Sequence, residues 1–426
     1  MIQTRANSLK GELSIPGDKS ISHRAVMIGS IANGITEVTN FLRGADCLST
    51  ISCFRKMGVS IEETNDRIKI HGRGLHGLMP PSELLDVGNS GTTTRLLSGI
   101  LAGQSFPSTL NGDASIQKRP MGRIITPLRL MGANIQSEKD SGLTPLHILP
   151  AILHAIEYRS PVASAQVKSS ILLAGLYAEG ITKVWEPARS RNHTELMLSY
   201  FGCDVQTEGT CASVTPPKEL YARAVNVPGD ISSAAYFMAA AALVPNSEVL
   251  VKNVGINPTR DGMIRVMQAM GAKLTLVNVH KDGSEPVADI LVSSSNLLGT
   301  TIDGDLIPTL IDEIPILAIL ATQAKGQTII KDAKELKVKE SNRIDVMVDN
   351  LTKMGADIIA TEDGMIINGG SPLHGAVIDT KLDHRIAMSF AIAALIAEGE
   401  TSLLHADCVD ISYPGFYQDL TSLIVS

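Results

Sequence analysis

A helix-like stretch that closes on Met or Phe, then Gly, then a small or β-branched residue and an alternating strand, recurs five times along this chain. The copies are FRKMGVSIE, LRLMGANIQ, LSYFGCDVQ, MQAMGAKLT and LTKMGADII. Their glycines, Gly58, Gly132, Gly202, Gly271 and Gly355, recur with a period of about seventy residues. Glycine suits a helix end that must turn through a left-handed conformation into a strand, because it has no Cβ to clash. A second piece, an apolar helix closing on a small-residue turn, occurs six times: DKSISHRAVMIGSIANG, GNSGTTTRLLSGILAG, QVKSSILLAGLYAEG, GDISSAAYFMAAAALVPN, IDEIPILAILATQAKG and LDHRIAMSFAIAALIAEG. The repeat restricts the chain to an α+β architecture of six modules, each with strands and two helices.

Several of the second helices are apolar nearly all round, so they belong inside a domain rather than on its surface. Strand-like segments follow them: ITEVTNFL, ITKVWEP, SEVLVKNV, TIIKDAKEL and TSLLHA, with β-branched residues in loose alternation. A chain of 426 residues exceeds what one core usually supports, which points to two domains. A midpoint division falls at VNVPGD, Val225 to Asp230, and leaves three modules on each side.

The net charge of -7 counts against a general nucleic-acid or membrane-surface binder, so any anion site must be a local cluster of cations. Cys47, Cys53, Cys203, Cys211 and Cys408 are odd in number and scattered, with no C-x-x-C spacing. They indicate neither a disulfide framework nor a zinc site, and read as reduced packing residues of a cytoplasmic protein. The opening MIQTRANSLKGELSIPG lacks the apolar segment of a targeting signal, and Ala234 to Val244, among the longest apolar runs, is far short of the ~18 residues of a membrane span.

The informative residues cluster where the apolar helices begin. A helix start leaves N–H groups unpaired and carries partial positive charge, which favours phosphate or carboxylate. DKSISHR adds Lys19, Ser20 and Arg24 to one start, and GNSGTTTR brings small residues that let a ligand approach the backbone. Taken alone, Ser20 and Thr92 read as caps, His23 as a capping or packing residue and Arg95 as structural. Lys19 and Arg24 are different, since burying two cations beside an apolar helix without an anionic partner is costly. In the second half, KVKESNRID gathers Lys337, Lys339, Glu340 and Arg343, and LDHRIAM sets Asp383, His384 and Arg385 before a helix. KVKESNR by itself reads equally well as a solvated charged face. That reading loses ground once Asp312 and Arg385 head other modules in the same way.

PGDKSISHR, GNSGTTTR, DASIQKRPM, SAQVKSS, LIDEIPILA, VKESNR and DHRIAM, in this order over nearly the full chain, closely resemble the 3-phosphoshikimate 1-carboxyvinyltransferase (EPSP synthase) family. The resemblance implies a two-domain inside-out α/β barrel of six βαβαββ repeats, three per domain around a pseudo-threefold axis, with the ligand cleft between domains. The implied domains are residues 15–227, and residues 1–14 plus 228–426. It implies transfer of the enolpyruvyl group of phosphoenolpyruvate to the 5-hydroxyl of shikimate 3-phosphate by a cytoplasmic monomer, without cofactor or metal and without a nucleic-acid or membrane partner. Shikimate 3-phosphate is assigned by resemblance to Lys19, Ser20, Arg24, Ser164, Gln166, Arg191, Asp312 and Lys339. Phosphoenolpyruvate is assigned to Lys19, Gly91, Thr92, Arg119, Gln166, Arg343 and Arg385. Asp312 is the implied proton acceptor and Glu340 the implied donor to the methylene carbon, coupled with Lys19 in one relay.

Two departures from the family pattern stand out. Ile411 precedes SYPGF where some members carry Lys, and Ala165 in SAQ removes a hydroxyl that other members have, which shifts a phosphate contact toward Ser164 and Arg191. Three rival readings rank lower. The UDP-N-acetylglucosamine enolpyruvyl transferase has a different motif set with a loop cysteine as acid, whereas Cys47 and Cys53 fall in an expected helix. RNA-terminal phosphate cyclases share a similar repeated unit, but the -7 charge and 4% aromatic content count against nucleic acid. A non-catalytic phosphate-binding module would have no use for Asp312 and Glu340. The RNHTE and SAQVKS forms resemble the bacterial branch often tolerant of glyphosate, although Gly91 offers no methyl to exclude it. Intermediate or low glyphosate sensitivity is therefore expected from the resemblance, and potent competitive inhibition at low phosphoenolpyruvate would overturn it.

Overall fold

The computed structural model describes residues 1–425. The chain divides into two compact units, one of Met1–Pro16 with Pro228–Lys281 and the chain from Pro286 onward, the other of Gly17–Val227 with Asp282–Glu285. Each unit has its own hydrophobic core.

Among the described residues the strands make six sheets, and three of the four four-stranded sheets share one order along the chain. Leu85–Asp86 runs parallel to Ser108–Asn111, with helix Gly91–Ala102 as the crossover that a parallel pair requires. Helix Gly122–Leu130 follows, and Asn134–Ser137 and Leu146–Leu149 then close the sheet as an antiparallel hairpin. The same pattern, β-α-β-α-β-β, is built from Glu157–Arg159 through Cys211–Val214 and from Thr301–Ile302 through Met365–Asn368. Three sheets take a strand from far along the chain, one of them Ile2–Gln3 against Thr401–Leu404. Ala224–Asn226 lies parallel to Asn33–Thr39 in one unit, and Ser8–Ser14 lies parallel to Glu248–Gly255 in the other.

The repeated glycines end helices as their spacing requires. Gly58, Gly132, Gly202, Gly271 and Gly355 have φ of 83°, 91°, 95°, 81° and 88°, a region that costs any other residue a Cβ clash. The apolar helices are buried on all faces: every residue from Ile231 to Ala242 and from His384 to Ala394 is buried, as is Ile314 to Thr322. The segment TIIKDAKEL is a strand only over Gln327–Ile330. Asp332 turns to φ 60° and breaks the extension, and a 3-10 turn at Lys334–Val338 takes its place.

A buried helix must still satisfy its first-turn N–H groups, and five of the six do so with a side chain. Asp18, Ser90, Ser164, Asp230 and Asp383 accept from Ile21, Thr93, Val167, Ser232 and Arg385 respectively. The expected caps Ser20 and Thr92 are thereby corrected. Each lies two residues past the true cap, inside the first turn, where its side chain is released for other contacts. Helix Ile314–Gln323 has no side-chain cap and begins with Pro315 in its first turn, which lacks an N–H to satisfy.

Helices Gly91–Ala102 and Ala165–Gly175 approach closely through Gly99, where an added Cβ would lie 2.2 Å from the Ser170 carbonyl oxygen. Backbone cannot move aside as a flexible side chain can. Gly99→Ala is expected to lower unfolding stability by at least the ~1–3 kcal/mol typical of overpacking, read by urea denaturation.

Candidate active site

In the unit of Gly17–Val227, the starts of three buried helices, Lys19–Ser30, Gly91–Ala102 and Ala165–Gly175, are tied together by polar side chains. Gln166 donates from Nε2 to Thr92 Oγ1 at 3.1 Å and accepts at Oε1 from Arg95 Nη1 at 2.6 Å. Arg24 donates to the Ser20 carbonyl at 2.9 Å, Ser169 Oγ at 2.8 Å and Thr194 Oγ1 at 2.7 Å. It is 3% exposed, all three of these acceptors are neutral, and burial pulls its pKa down to about 10 despite Glu195 and Asp18 nearby, with Arg191 adding repulsion. Lys19 Nζ pairs with Asp46 at 3.0 Å. Gly91 leaves no room for a side chain: a Cβ there would meet Arg95 Nη1 at 2.8 Å and Arg119 Nη1 at 3.3 Å.

His23 is a packing residue beneath this cluster. Its Nδ1 shares a 2.7 Å hydrogen bond with Thr50, which continues through Thr93 to the cap Ser90. Burial lowers its pKa to about 3, outweighing Asp46, so the ring stays neutral beside Lys19 and Arg24.

The other unit gathers carboxylates around Arg343, which is 1% exposed. Asp383 grips it with Nε at 2.8 Å and Nη2 at 3.2 Å, Glu340 takes Nη2 at 2.6 Å, and Asp312 lies 3.4 Å from Nη1. Burial opposes the charge, but Asp383 and Glu340 outweigh it and raise the Arg343 pKa. Asp383 is held below the ordinary carboxylate range, because Arg343 and His384 overcome the upward push of burial. Asp312 also meets Lys339 Nζ at 3.5 Å and Arg260 Nη1 at 4.0 Å, and its carbonyl accepts from Arg385 Nη1 at 3.4 Å. Burial acts against the charge on Arg385 too, yet Asp312 raises its pKa. The Tyr236 hydroxyl neighbours Arg385, and burial lifts its pKa to about 12.

The solvated-face reading of KVKESNR is thus wrong for Arg343; Lys337 and Lys339 are half-open, and Glu340, though exposed, reaches Arg343. The structure brings Asp312, Glu340, Lys339, Arg343 and Arg385 together in one unit, and Lys19, Ser20, Arg24, Gly91, Thr92, Arg119, Ser164 and Gln166 at helix starts or beside them in the other.

The EPSP synthase (3-phosphoshikimate 1-carboxyvinyltransferase) family matches residues 3–420. The chain is 56% identical to the 3-phosphoshikimate 1-carboxyvinyltransferase of Brevibacillus brevis over 419 residues, covering 98% of each chain. It is 56% identical to that of Geobacillus kaustophilus over 425 residues, 99% of this chain and 100% of the relative. A solved EPSP synthase from Acinetobacter baumannii superposes with a TM-score of 0.91 at 48% identity, covering 100% of this chain and 98% of that one. The chain belongs to the EPSP synthase family.

Within this EPSP synthase scaffold, Ile411 ends the 3-10 turn Ala406–Ile411 and packs against the core of its unit, so that position supplies no cation. Cys47 and Cys53 lie in helix Ala45–Lys56, and burial pushes Cys53 up to about 12, which removes it as an acid. Among the described residues, no group of His, Cys, Asp and Glu is arranged to hold a metal ion, and no helix is long and apolar enough to cross a membrane.

Sequence reasoning placed Arg95 as structural, yet it touches Gln166 and borders Gly91. The available signal was its position four residues after Gly91, on the same helix face. Arg260, buried with hydrogen bonds to Asp230 at 3.1 Å and Ser232 at 2.7 Å, sits in NPTRDG outside every motif singled out. Nothing local in the sequence marks it as a neighbour of Asp312.

Because His23 takes up a proton near pH 6.5 when unfolded but only near 3 when folded, it costs stability as pH falls between those values. His23→Gln is expected to remove about 1.4 kcal/mol per pH unit of that acid loss, read as the difference in slope of urea-unfolding stability against pH. Parallel slopes would show that the ring protonates in place.

Proposed function

We infer that this chain transfers the enolpyruvyl group of phosphoenolpyruvate to the 5-hydroxyl of shikimate 3-phosphate, giving 5-enolpyruvylshikimate 3-phosphate and phosphate, a step of aromatic amino acid biosynthesis. The observation that carries the chemistry is the pair of carboxylates, Asp312 and Glu340, held on the single guanidinium of Arg343.

The reaction makes two opposite proton demands. As the 5-hydroxyl oxygen bonds C2 of phosphoenolpyruvate, its proton leaves and C3 gains one. C3 then loses a proton as the C2–O bond to phosphate breaks. In this reading Asp312 accepts the hydroxyl proton, and the more exposed Glu340 delivers one to C3 and takes it back. Lys339, Arg343 and Arg385 around Asp312 favour its charged form, which weakens it as a base. Arg343 couples the two carboxylates, so proton uptake at one eases loss at the other, and Lys19 is assigned to the same relay.

Shikimate 3-phosphate is assigned to Lys19, Ser20, Arg24, Ser164, Gln166 and Arg191 with Asp312 and Lys339. Arg24 supports this, as a buried cation with neutral hydrogen-bond acceptors gains from an arriving phosphate. Phosphoenolpyruvate is assigned to Lys19, Gly91, Thr92, Arg119, Gln166, Arg343 and Arg385, where planar guanidiniums match carboxylate and phosphate in two parallel bonds. The absence of a side chain at Gly91, beside the guanidiniums of Arg95 and Arg119, suits a small anion. We extend the proposal to the architecture: three repeats in each unit arranged about a pseudo-threefold axis, in a protein that works as a cytoplasmic monomer.

Phosphate release by the purified chain with both substrates tests the reaction, with Lys19→Met, Asp312→Ala and Glu340→Ala beside it. Each variant is expected to lose ~10²–10⁴-fold in kcat, the range for general acid–base groups. Full activity in all three would overturn the roles, and no release by the wild type would overturn the reaction.

A further inference from the structure

We propose that Glu186 is a positioning residue for the shikimate 3-phosphate subsite, one carboxylate that fixes two separate binding elements in register. The inference rests on the assignment of Ser164, Gln166 and Arg191 to that substrate.

Glu186 follows strand Thr182–Trp185 and is almost fully buried, a place where a carboxylate needs strong partners. Its two oxygens face different elements. Oε1 accepts the backbone N–H of Ser164 at 2.9 Å, at the cap of helix Ala165–Gly175, one residue before Ala165 and two before Gln166. Oε2 accepts both the N–H of Ser190 at 3.3 Å and its hydroxyl at 2.9 Å, in the turn that presents Arg191. The carboxylate thereby joins the helix start carrying Ser164 and Gln166 to the turn carrying Arg191, which are far apart in sequence.

The charge of this bridge is balanced from below. Lys168, 3% exposed, reaches Glu186 Oε2 at 2.9 Å, Glu195 Oε1 at 2.8 Å and the Ser190 carbonyl at 3.3 Å. Lys168 lies one turn into the helix that Ser164 caps, so the ammonium, the cap and the turn all meet on Glu186. Glu195 in turn favours the charged form of Arg24, which shares Ser169 and Thr194 with the same helix pair. Two cations and two carboxylates thus offset one another in a dry interior, leaving the orientation of Ser164 and Arg191 dependent on Glu186. Glu186 touches no substrate itself. Its contribution is geometric, as an alcohol, an amide and a guanidinium must meet one phosphorylated ligand at once.

Two variants separate positioning from charge balance. Glu186→Gln leaves the Lys168–Glu195 pair neutral but turns an amide N–H₂ toward Ser190 and Lys168. Glu186→Asp keeps the charge but is one methylene too short to reach Ser164 and Ser190 together. Both are expected to raise the KM for shikimate 3-phosphate at least ten-fold and that for phosphoenolpyruvate, which shares only Gln166 with the bridged elements, by clearly less, while kcat at saturation stays within about three-fold. Wild-type kinetics in Glu186→Asp would show that charge alone matters and overturn the proposal. Equal losses for both substrates, or a lowered melting temperature with unchanged KM values, would also overturn it. If Glu186→Gln does not fold, Glu186→Asp decides alone. Ser164→Ala and Arg191→Ala measured alongside keep the two readings apart. Should these weaken shikimate 3-phosphate while the Glu186 variants do not, the inference fails and the substrate assignment stands. Should none of the four affect it, the assignment itself fails.

Discussion

The first-turn N–H groups of a helix buried on every side have no water to bond, so each helix start must bring its own acceptor. This requirement organises both units. Asp18, Ser90, Ser164, Asp230 and Asp383 meet it with side chains, and the residues just inside those caps are then held on a rigid frame at the positive end of the helix dipole. Ser20, Thr92, Gln166 and Arg385 all occupy such positions. The exception is helix Ile314–Gln323, which has no side-chain cap: Glu313 at its start accepts from the Ser232 hydroxyl instead, and Asp312 one residue earlier meets Lys339 and Arg343.

Charge in these units is handled by sharing. Arg343 serves three carboxylates, Lys168 serves two, and Arg260 lies among Asp230, Asp312 and Glu313. A buried ion pair is weak evidence of stability by itself, since desolvation offsets most of the attraction. Its value here is geometric: a guanidinium gripped in two parallel bonds by Asp383 has one orientation left, and the carboxylates it faces inherit that orientation. The cost is borne by large apolar cores. The helices Ile231–Leu243 and His384–Ala394 expose almost nothing, which leaves the polar clusters at their ends free to be arranged for chemistry.

The repeat, the helix-ending glycines, the buried helices and the ordered motifs were legible in the sequence because each is written within a short window. A glycine needing positive φ and an all-apolar helix both declare themselves locally. The family followed from motif order, and with it the reaction. Several contacts were not legible. Arg95 looked structural because its partner Gln166 lies in another module, and Arg260 carried no signal because Asp312 is far along the chain. Assigning caps to Ser20 and Thr92 failed by two residues, since the choice between neighbouring polar residues depends on where the backbone enters the helix.

What the sequence by itself determined is the kind of chain this is: six α+β modules, anion-seeking helix starts, and the residue types needed to hold two polyanions and move protons. Those depend on period, polarity and local backbone preference. Only the tertiary structure decided which cation faces which carboxylate, that His23 stays neutral beside Lys19 and Arg24, and that Glu186 ties Ser164 to Ser190. Such pairings depend on distance and desolvation between residues remote in sequence, and neither exists until the chain has folded.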